Sequence, residues 1–151
     1  ALAATTSVEA VSSRGHRFSE DISSLPIVLG NYVEVRDGKT EEFNIETFNH
    51  GSATRKVIAI FNEIGLGDDL MRARDGRNIR AGKATMRGRV HKTPKSILLV
   101  VKQKSGLAQA ARNLPGVDVV AACDLCAEDL APGGDIGRLT VFTRDAVEAL
   151  N

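Results

Sequence analysis

The sequence predicts an α/β fold of three layers: a four-stranded, mainly parallel sheet with helices on both faces, plus a hairpin and a basic loop. Three observations predict it. Apolar runs at 97–101, 117–122 and 138–143 have the length of buried strands. A helical pattern follows each run, so the tail reads βαβαβα, with connections long enough for right-handed crossovers between parallel strands. Finally, 151 residues at 42% apolar content suit one domain, residues 1–151, and a chain of that size buries about 70% of its unfolded surface.

The elements follow in order. Leu2, Val8 and Val11 sit at helical spacing in a segment that stops before Gly15, which predicts one helix over 1–13. Arg14-Gly15-His16-Arg17 is a compact basic turn. Leu25 to Leu29 is a short strand with Pro26 at its edge. Alternation through Tyr32-Val33-Glu34-Val35, the pair Asp37-Gly38, then Phe43 and Ile45 predict a hairpin within 31–49. Thr54 is the expected cap of a helix running to Ile64, with Val57, Ile58, Ile60, Phe61 and Ile64 as its buried face. Asp68-Asp69 opens a short helix through Arg74, with acids at its positive end and Arg72 and Arg74 near its negative end. A basic loop over 75–95 follows, and residues 76–95 are expected to lack regular structure, because their glycines and like charges bury little apolar surface. After strand 97–101 come a helix at 107–113, strand 117–122, a helical turn at 125–130, a Pro132-Gly133-Gly134 turn and strand 138–143. A final helix over 144–150 is capped by Thr143.

The net charge of +1 conceals a concentrated positive segment. Of 20 Lys and Arg residues, nine fall in 72–95: Arg72, Arg74, Arg77, Arg80, Lys83, Arg87, Arg89, Lys92 and Lys95, against the single acid Asp75. Such a cluster repels itself unless it is solvated or met by a polyanion. Interleaved Arg, Lys and Gly suit nucleic acid. Aromatic content of 4% without Trp argues against a base-stacking platform and for contact through phosphate and shape. The hairpin carries Glu34, Asp37, Glu41, Glu42 and Glu46, an unfavourable surface for such a ligand.

No apolar run approaches the roughly 20 residues of a membrane helix. The start, ALAATTSVEAV, has neither an initiator Met nor a basic leader region, and the expectation is a fragment or processed chain. Two cysteines make no disulfide framework, which suits a reducing cytoplasm.

Motifs of catalysis and cofactor binding fail on spacing. Gly82-Lys83 lacks the earlier glycine of a phosphate-binding loop, where Arg77 stands, and the hydroxyl residue after Lys83, where Ala84 stands. The glycines at 133, 134 and 137 precede a strand instead of following one, unlike a dinucleotide fingerprint. Cys123 and Cys126 form C-x-x-C, but the histidines at 16, 50 and 91 are not at zinc spacing. Two half-buried, reduced, unmetallated thiols are expected. No nucleophile–base or paired-carboxylate arrangement is visible, and neither catalytic nor metal-ligating residues are assigned.

Several segments together resemble a known family. Arg80-Ala81-Gly82-Lys83, Met86-Arg87-Gly88-Arg89 and Pro94-Lys95 are similar to the signature loop of the ribosomal protein L-four family, in its archaeal/eukaryotic type. Arg14-Gly15-His16-Arg17, Ala111 to Val117, and Leu130 to Gly134 before Gly137-Arg138-Leu139-Thr140 match further family motifs in order. Ala84 and Thr85 stand where relatives usually have Gly and Lys, and Asp135 replaces a common His. The 31–49 hairpin resembles an insertion, and the family's N-terminal portion, with its exit-tunnel loop, has no counterpart in these residues.

The resemblance implies a non-enzymatic constituent of the large ribosomal subunit, in the cytoplasmic ribosome, supporting assembly and translation. Its implied partners are large-subunit ribosomal RNA and neighbouring large-subunit ribosomal proteins, with no membrane, cofactor or small-molecule substrate. The expected RNA-binding residues are Arg14, His16, Arg17, Arg72, Arg74, Arg77, Arg80, Lys83, Arg87, Arg89, His91, Lys92 and Lys95. It also implies strand 138–143 between strands 26–29 and 97–101. Two competing readings are a small α/β nucleotide-binding module or enzyme, which would need a phosphate loop after a strand, and a protein–protein adaptor using the acidic hairpin.

Overall fold

A computed structural model describes residues 1–20, 22, 24–30, 32–36, 39–43 and 53–150. The N-terminal segment is two pieces, not one helix. A 3-10 turn over Leu2–Thr6 ends at Ser7, whose extended backbone lets its hydroxyl accept from Ala10 N–H and cap α1 (Val8–Ser13). A serine offered as a cap competes with continuing the helix through it. β1 is Ile27–Leu29. β2 (Tyr32–Arg36) and β3 (Lys39–Phe43) pair antiparallel, as the alternation predicts. The expected turn residues Asp37 and Gly38 lie outside the described residues.

α2 (Ala53–Glu63) buries Val57, Ile60 and Phe61, and α3 (Gly67–Asp75) buries Leu70 and Ala73. Thr54 is not a cap. It lies within the first turn of α2, and its hydroxyl approaches Ala110 O at 3.4 Å. Loop 75–95 is more regular than its composition predicts. β4 (Asn78–Ile79) pairs antiparallel with β5 (His91–Lys92), and a single turn of helix, α4 (Lys83–Met86), lies between them. Hydrogen bonds hold this ribbon without apolar burial: backbone pairing, with Arg80 Nε on His91 O and Thr85 Oγ1 on Arg80 O, while all four of its strand residues are exposed.

β6 (Leu98–Val101), α5 (Gly106–Arg112), β7 (Asp118–Ala121), α6 (Ala127–Leu130), β8 (Thr140–Thr143) and α7 (Arg144–Leu150) complete the chain. The main sheet runs β1-β8-β6-β7, and all its pairings are parallel. β8 therefore lies between β1 and β6, the order the family resemblance implies. Alternate side chains of β6 serve the two faces. Leu99 and Val101 join Val11, Phe61, Leu70, Leu107 and Ala111 on one face, while Leu98 and Val100 meet Phe142, Leu130 and Ala146 on the other. The fold is therefore three-layered. Val119 and Val120 are half-buried where full burial is expected, because β7 is an edge strand. Thr143 caps α7 as predicted, accepting from Ala146 N–H at 3.3 Å.

Candidate nucleic-acid interface

The basic loop leaves the domain from α3 and returns at β6, and one carboxylate ties both roots down. Asp69, fully buried, accepts from Arg72 Nε at 2.8 Å and Arg17 N–H at 3.0 Å on one oxygen. On the other it accepts from Ser96 Oγ at 2.5 Å and His16 Nδ1 at 3.1 Å. Arg72 Nη2 also donates to Lys95 O at 2.9 Å. The Arg14-Gly15-His16-Arg17 turn, α3 and the start of β6 thus meet at one point. Burial by itself would raise the Asp69 pKa. The bonds from His16, Arg72, Ser96 and the Arg17 N–H outweigh it and hold the carboxyl well below its ordinary range.

His16, one of the expected RNA-binding residues, lies inside this hub. Its ring is buried, with Nδ1 turned to Asp69 and Nε2 enclosed without a partner. Arg72 Nη2 approaches His16 Nδ1 at 3.3 Å, but both atoms are donors in this arrangement, so the approach is not a bond. Arg72 is half-buried and committed to Asp69. Arg14 is occupied elsewhere: its guanidinium donates to the carbonyls of Asp135 and Pro132, bracing the 132–137 turn. Its pKa is lowered, chiefly by burial, against the opposing charge of Asp135.

The other expected residues are exposed: Arg17, Arg74, Arg77, Arg80, Lys83, Arg87, Arg89, His91, Lys92 and Lys95. Arg74 forms an exposed pair with Asp75, and Arg80 Nε donates to His91 O at 3.1 Å across the ribbon. Lys95 donates to Asp118 at 2.7 Å, which spends part of its charge within the domain. Arg77, Lys83, Arg87, Arg89 and Lys92 have no side-chain partner among the described residues. The ribbon of β4 and β5 holds these cations away from the core, a posture that suits a ligand with spaced negative charge.

Other candidates resolve structurally. Lys83 opens α4, a single turn that follows no core strand, so no phosphate-binding loop forms. Cys123 and Cys126 are free and exposed, not half-buried. Cys126 caps α6, and its thiol donates to Asp129 at 3.1 Å. Among the described residues, no group of three or more His, Cys, Asp and Glu side chains is placed to hold a metal ion. His50 lies outside the described residues.

A family model described as the Ribosomal protein L4/L1 family matches residues 1–151. The chain belongs to that family. It is 45% identical over 150 residues to the large ribosomal subunit protein uL4 of Methanocaldococcus jannaschii, covering 99% of this chain and 53% of that protein. The uL4 of Thermoplasma acidophilum is also 45% identical over 150 residues, covering 99% of this chain and 52% of that protein. That of Halobacterium salinarum is 42% identical over 148 residues, covering 98% and 53%. The chain thus spans about half the length of these relatives.

In this L4/L1-family chain the sequence pattern misses the residues that build the loop's platform. Asp69 reads as one more helix-dipole acid, and Ser96 carries no signal at all. Arg138 reads as the start of an apolar strand. Its side chain is 1% exposed and donates to Ser96 O at 3.2 Å, Asp129 O at 2.9 Å and Asp118 at 2.5 Å. One signal was present: an arginine at the head of a strand that is otherwise apolar stays buried only when its charge is paired.

Proposed function

We propose that this chain is an rRNA-binding, non-catalytic structural part of the large ribosomal subunit, held in the cytoplasmic ribosome among neighbouring ribosomal proteins. It supports subunit assembly and translation by gripping RNA, and takes no cofactor. The observation that carries this reading is the projecting ribbon, with Arg77, Lys83, Arg87, Arg89 and Lys92 exposed and free of side-chain partners among the described residues. Arginine contributes most, because its planar fork grips a phosphate through two bonds, whereas lysine acts as a point charge. Arg17, Arg74 and Arg80 extend the same set. Arg14, Arg72 and Lys95 contribute mainly by keeping the roots in place.

Filter binding to a large-subunit rRNA fragment across a salt series tests the reading. With about five phosphates neutralised, log K should fall against log salt with a slope of about −3.5 to −4.5. Lys83→Ala should reduce that slope by nearly one unit and weaken all RNAs alike. Arg87→Ala should cost more affinity than Lys83→Ala. Arg36→Ala and Lys39→Ala in the hairpin should leave affinity unchanged. Loop variants that keep both affinity and slope would sink the proposal.

A further inference from the structure

The ribbon pairs Asn78 with Lys92 and Ile79 with His91. Arg80 N–H donates to Val90 O at 2.8 Å, which makes Arg80 and Val90 a hydrogen-bonded pair. Antiparallel alternation then makes Ile79 and His91 a non-hydrogen-bonded pair, the kind whose side chains stand closest on a shared face. Ile79 is 72% exposed and His91 is also exposed. An aliphatic side chain and a flat imidazole therefore stand side by side, facing solvent, on a ribbon of only four residues.

A single exposed isoleucine is ordinary. This one shares its face with a planar ring, amid Arg77, Arg80, Lys83, Arg87, Arg89 and Lys92. Charge complementarity names the occupant. The surrounding cations call for a polyanion, and nucleic acid carries beside every charge a flat heteroaromatic base whose faces stack on apolar and planar groups. A continuous duplex hides those rings in its stack, whereas an unpaired nucleotide presents one.

We infer that the Ile79/His91 face is a seat for one unpaired RNA base, stacked there while the loop's cations hold the adjoining backbone. This rests on the RNA-binding reading above and adds a selectivity that phosphate contacts cannot supply. It departs from the composition's expectation of contact through phosphate and shape alone, since a seat for one base needs one ring and one aliphatic chain, not a platform of aromatics. The loop then favours RNA with a splayed base over unbroken duplex, despite the greater charge density of the duplex.

The probes are a 12-nucleotide mixed-sequence RNA strand and the same strand annealed to its complement, followed by fluorescence anisotropy with the whole 151-residue chain. The protein should bind the single strand more tightly. Replacing both residues, Ile79→Thr with His91→Thr, keeps residues suited to strands and removes the seat. It should weaken single-strand binding by about 5- to 150-fold, leaving duplex binding and the salt slope as they were. Arg87→Ala with Arg89→Ala should weaken both probes and flatten the slope. The inference is overturned if the parent protein shows no single-strand preference. It is equally overturned if the double threonine variant keeps that preference, as it would if the face met another protein instead, or if it loses both probes alike. A parent protein that binds neither probe overturns the RNA-binding reading itself.

Discussion

Asp69 is a carboxylate whose removal would strand His16, Ser96 and Arg72 around an uncompensated site. Asp69→Ala should therefore cost about 3–5 kcal/mol, read as a lower urea midpoint. Ser96→Ala removes one of the four donors to Asp69 and should cost about 1.5–3 kcal/mol. Acid sensitivity follows with a definite sign. The folded-state pKa of Asp69 is depressed below its unfolded value of about 4. Its contribution is therefore complete above about pH 5 and is lost as pH falls through 4 and below. Asp69→Asn should flatten that acid limb in urea midpoints taken from pH 7 to pH 2.5. Asp118, whose pKa burial would raise but bonds from Lys95 and Arg138 lower, should keep the remainder. A variant with an unchanged acid limb would refute this assignment. The hub was illegible in the sequence because its members, at 16–17, 69–72 and 96, are related by no periodicity.

At the scale of elements, the turn before β7 shows how closely the loop's roots are packed. Gly116 has φ +77°, and its carbonyl accepts from Ser96 N–H at 2.8 Å. A Cβ there would lie 2.5 Å from Pro94 O and 2.9 Å from the Ala73 side chain. Gly116→Ala should therefore cost about 2–4 kcal/mol, from backbone strain and overlap together. Gly82, at φ +75°, has open space around it. Its backbone, at φ +75° and ψ −158°, is strained for any other residue, but the ribbon does not support the core, so Gly82→Ala should leave the thermal midpoint nearly unchanged. Thermal denaturation of the two variants checks the contrast, and equal losses would show that the roots are looser than described. β6 was legible because an unbroken apolar run marks a strand buried on both faces, and β7 and β8 because short, largely apolar runs stand between helical patterns and turns, although Asp118 and Thr140 interrupt them. The ribbon was not, since two-residue strands carry no period and exposed side chains no burial pattern. The break at Ser7 escaped for a similar reason: serine is tolerated within a helix, and only its cap geometry shows that it starts a new one.

For the whole molecule, the domain and the ribbon are separable in energy. The four strand residues of the ribbon are exposed, and its ends converge where Gly76 sits against Pro94. Strands paired at Asn78 and Lys92 place residues 77 and 93 within reach of a short turn. Replacing 78–92 by Gly-Ser-Gly-Ser should leave the thermal midpoint within about 3 °C, a change of less than about 1 kcal/mol, while RNA affinity falls to background. A collapse of the midpoint would show that the ribbon supports the core after all.

Composition and local pattern were enough for the α/β class, the three C-terminal strands and the concentration of positive charge over 72–95. These depend on burial and spacing along the chain, which any stretch of sequence displays. Strand order entered only through family likeness, because nothing in an apolar run says which neighbour it will take. Which cations are bonded within the domain was decided by tertiary contact. Arg14 and His16 read like Arg17, and Arg72 like Arg77, yet Arg14, His16 and Arg72 are drawn into contacts within the domain while Arg17 and Arg77 stay exposed. The physical reason is that a charge's role is set by its partners in space, and here those partners lie 53 residues away for His16 and 121 for Arg14.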